Sequence, residues 1–337
     1  MRVGAIVTVP GAIKIEDPAF ENRTFPQSFG GNPLACQEVL GQTLLQRMLT
    51  VLRDSGVQQQ SVLFEDSGSE NLFPSRVPSA GKFFSAWENS VRQQLEQGAE
   101  ILLLIRLGAY LELDFAQLLD FHRESSGALT QVYDQKSAFE IAVIHANQLQ
   151  GEKGSYRGRL SALIPYHKRY EFAGYSNRLR QPQDFRRLVR DSLLRRNSIR
   201  PVGEEVSTDV WVGEGATIDP SARICGPAYI GAHTRVKGYC QINGGTDIGR
   251  DCEIDFGTTV TDSTVLPETY LGIGLNVVHS IAAAGFLFNL DRNVEVQISD
   301  RNLVGKQRTI RTFRKFIAKK DIFNRSERQL SGIDSHL

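Results

Sequence analysis

Two patterns in the 337-residue chain predict an α/β domain followed by a parallel β-helix. The first is a period of six that starts at Val212 and continues through Ile218, Ile224, Ile230, Val236, Ile242, Ile248, Ile254 and Val260, every one a branched aliphatic. Four places after each stands a small residue: Ala216, Ala222, Ala228, Thr234, Cys240, Thr246, Cys252, Thr258 and Thr264. Aliphatic and small residues in fixed phase are the signature of a hexapeptide repeat, in which three hexads close one triangular coil. Ile218, Val236 and Ile254 should therefore stack in the interior. The place after each aliphatic is often Gly, Asp or Asn (Gly213, Asp219, Gly231, Asn243, Gly249, Asp255), expected to tolerate a sharp corner. After Val260 the phase slips by one and resumes on Val265, Leu271 and Val277, which predicts a bulge or a looser last coil. About four coils result, with two ends to be capped. The second pattern is strand–helix alternation over roughly the first 125 residues, the order of a three-layer domain with a parallel sheet.

The elements follow in order. Arg2–Val9 is a β-branched strand stopped by Pro10-Gly11, and Glu16–Asn32 reads as loop. Leu44–Arg53 carries apolar residues at helical spacing and ends at Gly56; Ser61–Phe64 is the next strand. Ser67–Gly81 is a surface loop, and Phe83–Gln97 a second amphipathic helix stopped by Gly98. Glu100–Arg106 is apolar on both faces, as a central parallel strand requires. Asp114 and Gln117 predict a capping box for a helix over Phe115–Arg123. Tyr170–Ser176 reads as a strand, and a helix capped by Asp184 places Phe185, Leu188, Val189, Ser192 and Leu193 on one face. Pro201 and Gly203 mark the boundary before the first coil.

Composition narrows the class. The length argues for about two domains. A hydrophobic share of 41% and a charged share of 23% are those of a soluble globular protein, and a net charge of +1 predicts no general attraction to nucleic acid or membrane. Cys36, Cys225, Cys240 and Cys252 form no C-x-x-C pair and no His-flanked metal spacing, and two of them occupy the small slot of the repeat. They read as reduced thiols of a cytoplasmic protein. Val3–Ile15 contains Pro10 and Gly11 and lacks a cleavage pattern, so it is a strand rather than a signal peptide. No stretch approaches the ~20 apolar residues of a membrane span.

Pro33–Arg47 (PLACQEVLGQTLLQR) with Leu52–Val57 (LRDSGV) resembles the P-K-x-L-x-x-V-x-G-[KR]-P-L-L segment and following helix of sugar-phosphate nucleotidyltransferases. Ile101–Ile105, Leu107-Gly108-Ala109, Asp114-Phe115 and His122 are similar to that family's apolar strand, "N-G-D" turn and next helix. The resemblance covers most of residues 1–290. It implies a Rossmann-like nucleotidyltransferase-type domain followed by a left-handed β-helix, with domains 1–176, an Arg-rich linker 177–205, the β-helix 206–290, and a strand with a basic tail over 291–337.

Departures from the family pattern bear on activity. The family's Gly-rich G-x-G-T-R phosphate loop is here Val9-Pro-Gly-Ala-Ile-Lys14, with Pro10 removing an amide donor and Ile13 opposing the backbone such a loop needs. The family's motif Lys is Leu34, and the Asp that would hold Mg²⁺ falls on Ala109. Phosphoryl-type transfer rests on positioning and charge neutralisation. The resemblance thus implies a degenerate relative that binds a nucleotide or NDP-sugar, or scaffolds an active paralogous partner. An active NTP:sugar-1-phosphate transferase, with Mg²⁺ as its metal, is the alternative. Glu112 and Asp114 are conceivable replacement ligands, against their plain roles as strand end and helix cap.

Candidate nucleotide or sugar-phosphate ligands are Gly11, Lys14, Glu112, Arg178, Arg180 and Arg187, the arginines belonging to a cluster that runs to Arg200. The bland alternative for that cluster is a solvated linker helix. Hexapeptide β-helices also form acyltransferases that use a His as general base, which makes His233 and His279 candidates for a third function. No metal site is predicted. Ala282–Leu290 reads as an apolar cap, Val294–Ile298 as a final strand, and Lys306–Lys320 as a basic amphipathic helix for a membrane, a partner or its own protein. Flat β-helix flanks predict a homo-oligomer.

Overall fold

The computed structural model describes residues 2–10, 28–29, 32–33, 36–57, 59–65, 80–135, 137–151 and 154–307. Gly11, Lys14, Leu34, most of the Ser67–Gly81 loop, the basic stretch after Gln307 and the C-terminus lie outside them.

The N-terminal half is built on a six-stranded sheet. β1 (Val3–Val9) is buried along its whole length and pairs in parallel with β6 (Gln59–Phe64) and β7 (Ile101–Arg106). Between β1 and β6 lie short pairs, β2 (Ser28–Phe29) with β3 (Asn32–Pro33) and β4 (Glu38–Val39) with β5 (Gln42–Thr43). β8 (Tyr110–Leu111) stands outside the main sheet. β9 (Leu129–Tyr133) and β10 (Ala138–His145) form a hairpin whose turn is held by Asp134 accepting from the Ser137 amide at 2.8 Å. A hairpin is antiparallel by construction, so β10 runs against β7 and the sheet is mixed rather than all-parallel. β11 (Lys168–Glu171) adds an edge parallel to β9. The expected Tyr170–Ser176 strand is thus two pieces, β11 and β12 (Ser176–Asn177), divided at Gly174, over which the Phe172 ring packs.

Side-chain alternation sorts the sheet into three layers. Val3, Ala5, Val7, Val9, Ile101, Leu103 and Ile105 pack against α1 (Leu44–Asp54), α3 (Phe115–Glu124) and α5 (Pro182–Leu193). Ile6, Leu102 and Ile144 face α2 (Ala80–Glu96) and α4 (Tyr156–Leu163). Two helix starts differ from expectation. Asp114 caps α3 by accepting from Ala116 and Gln117 amides, yet the reciprocal capping box belongs to α1, between Thr43 and Gln46. Pro182, with its φ preset for a first helical position, starts α5 ahead of Asp184, which becomes a first-turn acid rather than the cap.

From Val210 the chain visits three sheets in rotation, the path of a parallel β-helix. Val210 pairs with Ala228 and Ala228 with Thr246, one coil of eighteen residues each. Asp247 then pairs with Thr264 and Thr264 with Ile281, coils of seventeen. The phase slip after Val260 is a corner shortened by one residue, and the same shortening recurs after Val277. Ile230, Val236, Ile242, Ile248, Ile254, Val260, Val265 and Leu271 fill the interior with Cys240 and Cys252. The small-slot threonines also bond between coils: Thr234 Oγ1 donates to Gly249 O at 2.7 Å and accepts from the Cys252 amide at 3.0 Å.

The repeat's glycines serve a purpose other than the expected one. Left-handed backbone falls three places after the aliphatic, at Gly215, His233, Asp251 and Glu268 of one corner and at Tyr239, Gly257 and Gly274 of the next. Gly213, Gly231 and Gly249 have no left-handed φ; a Cβ on Gly213 would lie 2.5 Å from the Ala232 amide of the next coil, and one on Gly249 2.7 Å from that of Pro267. These positions are glycine because neighbouring coils touch there.

Glu204–Ser207 lies antiparallel on Val210–Val212 at one end. At the other, Ser280–Ala283, Phe286–Asn289 and Val294–Gln297 form an antiparallel meander, and Val304–Lys306 pairs with Thr269–Leu271. The last strand places Lys306 in a sheet, not at the head of a basic helix. Phe288 of the meander, Tyr229 and Leu266 belong to the same core as α1 and α5, so the two halves share a continuous apolar joint. Among the described residues, no helix is long and apolar enough to cross a membrane.

Candidate functional site

Ligands of open α/β sheets bind outside the carboxyl ends of strands where the strand order reverses. The chain goes from β1 to β6 on one side and returns to β7 on the other, so the switch point lies between β1 and β7. A cavity of about 150 Å³ opens one strand over, between the carboxyl end of β7 and its other neighbour β10. Its walls include Met48 of α1, Arg106, Gly108 and Ala109 after β7, Phe139 and Glu140 of β10, and Arg178 and Arg180 ahead of α5.

Three arginines meet here in different states. Arg106 donates through Nε and Nη2 to both Glu65 oxygens, at 2.6 and 2.8 Å, and through Nη1 to Glu140 at 2.9 Å. These bonds, those to Glu65 foremost, raise the guanidinium above its ordinary value. Arg178 donates to Asp134 Oδ2 at 2.8 Å and to the carbonyls of Ser137 and Ala138, and its guanidinium lies 4.1 Å over the Phe139 ring. Both forks are occupied by protein. Arg180 is exposed and lines the cavity, and its side chain forms no ion pair among the described residues; only its backbone amide is anchored, 3.1 Å from Asp184 Oδ2.

The segment that presents Arg178 and Arg180 is held under strain. Buried Leu179 between them has φ 47°, a left-handed conformation that costs about 1–2 kcal/mol for a residue with a Cβ. Asn177 holds it there, accepting from the Leu179 amide at 3.1 Å and donating to Asp184 O at 2.7 Å. Strain of this kind persists where the surroundings enforce it, and it collects at functional sites.

The other candidates fall elsewhere. Glu112 accepts from Tyr110 Oη at 3.2 Å and from the Ser198 amide, so it ties β8 to the segment after α5 and does not line the cavity. Arg187 pairs with Asp184 at 2.7 Å on the exposed side of α5, again away from the cavity. His233 occupies a left-handed corner, its ring against Gly215 of the coil before. His279 sits in a shortened corner with Nδ1 2.5 Å from Asp291 Oδ1 and Nε2 3.9 Å from Asp262 Oδ2. Ala109 reaches the cavity wall but has no ligand atom. Among the described residues, no three His, Cys, Asp or Glu side chains converge as a metal site.

Sequence reasoning passed over Arg106, Glu65, Glu140 and Asp134. A usable signal existed for the first: an arginine directly ends a strand that is otherwise apolar on both faces, the place where a parallel sheet presents its ligands. No protein-family model matches the chain, and no curated protein matches it.

Proposed function

We propose that this protein is a degenerate relative of the sugar-phosphate nucleotidyltransferases, a cytoplasmic binding or scaffolding protein with a C-terminal left-handed hexapeptide β-helix. In this reading its α/β domain takes the phosphate of a nucleotide or NDP-sugar at the β7 edge and does not transfer it. One observation carries the proposal: at the cavity between the carboxyl end of β7 and β10 a single arginine, Arg180, faces the space without a described partner, while two others are neutralised and Ala109 offers no metal ligand. Such a site favours an anion, and the carboxylate in its wall, Glu140, is held by Arg106 rather than free to position Mg²⁺ for phosphoryl-type chemistry. The β-helix flanks favour a homo-oligomer, and an active paralogue is the natural partner for a scaffold.

The test is isothermal titration of the whole chain with a panel of NTPs and NDP-sugars, with and without Mg²⁺, alongside a pyrophosphate-release assay. Binding of an NDP-sugar or nucleotide without metal, weakened by Arg180→Ala, is the expected result. Tight Mg²⁺-dependent NTP binding with turnover would overturn the non-catalytic reading in favour of an active transferase. No binding of any ligand in the panel would remove the nucleotide reading.

A further inference from the structure

Asp247 is buried in the middle of the joint between the two halves. It projects from the Thr246–Ile248 strand beside Tyr229, with only 3% of its surface exposed. Two elements of the α/β half cover it. The first is the β4–β5 hairpin, whose two-residue tip Leu40-Gly41 has φ 52° and 90°, both left-handed, as the tightest hairpin turns require. Leu40 is fully buried, its backbone amide lies by the Asp247 carboxyl and favours the ionised form, and a Cβ on Gly41 would collide with the Tyr229 hydroxyl. The second is α5, which sends Arg186, 4% exposed, into the β-helix.

Arg186 is committed elsewhere. Its Nη2 pairs with Asp262 Oδ1 at 2.7 Å and also reaches Gly245 O. Among the buried atoms at the joint, Asp247 Oδ1, Arg186 Nη1, Glu38 Oε2 and Arg47 Nε have no hydrogen-bond partner among the described residues. A native joint with an orphaned acceptor and an orphaned donor on groups of opposite sign has two ways to pair. The charged and titratable groups around Asp247 are Glu38 on the hairpin (itself 2.5 Å from Arg250), Arg186 on α5, and Tyr229 and Cys252 on the coils, with Arg190 of α5 acting on Arg186 and Arg47 of α1 on Tyr229. Burial first, opposed by Arg186 and reinforced by Glu38, pushes Asp247 up to about 7. From Arg186 the charges continue outward through Asp262 and His279 to Asp291 at the surface.

We infer that this joint is a proton-linked switch in which Arg186 serves Asp262 while Asp247 is neutral and moves to Asp247 when that acid ionises. The proton leaves Asp247 to solvent, and no bond other than O–H is broken. The existence of the switch does not rest on the identity of the cavity's ligand.

Trp211 is the cross-strand neighbour of Tyr229 and packs against the joint core, and the chain's other tryptophan, Trp87, lies on α2. In a Trp87→Phe background, Trp211 emission followed from pH 5.5 to 8.5 should show one transition centred near 7 with a slope of about one proton. Asp247→Asn, which mimics the neutral acid, should abolish it, and His279→Gln should displace it. The same transition surviving in Asp247→Asn, or none in the unaltered joint while circular dichroism stays constant, would overturn the inference. Should Asp247→Asn fail to fold, hydrogen exchange on the unaltered chain decides. Protection of the Leu40 amide, corrected for intrinsic rate, should change across the same pH interval, and constancy would overturn the switch.

Discussion

Glycine stands at two kinds of corner position in the β-helix, and single alanine substitutions should separate them. At Gly231 a Cβ would lie 2.6 Å from Gly249 O and closer still to the Arg250 amide nitrogen, all backbone of the next coil. Comfortable contacts begin near 3.5 Å, so the coils would have to part by roughly 1 Å. The rungs between these two coils beside this position, Gly231 N to Ile248 O at 2.7 Å and Asp251 N to Ala232 O at 2.8 Å, would stretch past useful length. Overpacking of about 1–3 kcal/mol plus two weakened hydrogen bonds near 1 kcal/mol each puts Gly231→Ala at about 3–5 kcal/mol. Gly257 has φ +69° with nothing within 4 Å of a Cβ. There the cost is only that of a left-handed alanine, about 1–2 kcal/mol, partly offset by a less flexible unfolded chain. Urea denaturation followed by far-ultraviolet circular dichroism should rank Gly231→Ala as the more damaging by about 2 kcal/mol or more. Equal losses, or a larger loss at Gly257, would refute the assignment of the Gly213–Gly231–Gly249 column to close approach.

Other outcomes are expected on the same footing. Arg180→Ala should leave thermal stability unchanged, since the side chain is exposed, and weaken NDP-sugar binding about tenfold by titration calorimetry, in line with a lost charge-assisted bond. Thr234→Val keeps the shape but strips the acceptor of the Cys252 amide and the donor to Gly249 O; a loss of about 1–3 kcal/mol in urea is expected, with Thr234→Ser near neutral. His122 is buried against His145, with Nδ1 2.8 Å from Thr130 Oγ1, and burial lowers it from 6.5 to about 4. The unfolded chain therefore binds the extra proton between those values, so this contribution to stability is complete above about 6.5 and lost as pH falls toward 4. Unfolding midpoints of His122→Asn should be flatter than those of the parent over that interval, and parallel profiles would count against a neutral buried imidazole.

The β-helix was legible because its constraint is periodic and local. One aliphatic per hexad faces inward regardless of what the rest of the chain does, so Ile230 through Val260 could be placed without knowledge of any partner. The helices α1, α2 and α3 were legible for a similar reason: Gly56 and Gly98 end the first two with left-handed backbone at +84° and +81°, and Asp114 starts the third. What the pattern concealed was which physical demand each glycine met, since φ and steric contact leave the same letter in the sequence. The β9–β10 hairpin was missed because Leu129–His145 mixes inward apolar residues with outward Gln131 and Glu140, and its turn carries no Asn-Gly or Asp-Gly signal.

The cavity was only partly legible, and the reason is electrostatic. A run of arginines looks uniform in sequence, yet Arg178, Arg180, Arg186 and Arg187 have four different fates, set by acids up to 76 residues away. Arg178 meets Asp134 across the β9–β10 turn, Arg186 meets Asp262 across the joint, and Arg187 meets Asp184 one helical turn back. Arg180 is left facing the cavity because its neighbour Leu179 is bent into a conformation that no sequence propensity favours. Glu112 shows the converse: its place near the family's metal-binding turn made it a candidate, and a backbone amide from beyond α5 claimed it. A charge becomes a site residue only when the fold leaves it without a closer partner. That condition is set by contacts distant in sequence, which is why the strained Asn177–Arg180 segment, rather than the density of arginine, decides which guanidinium faces the cavity.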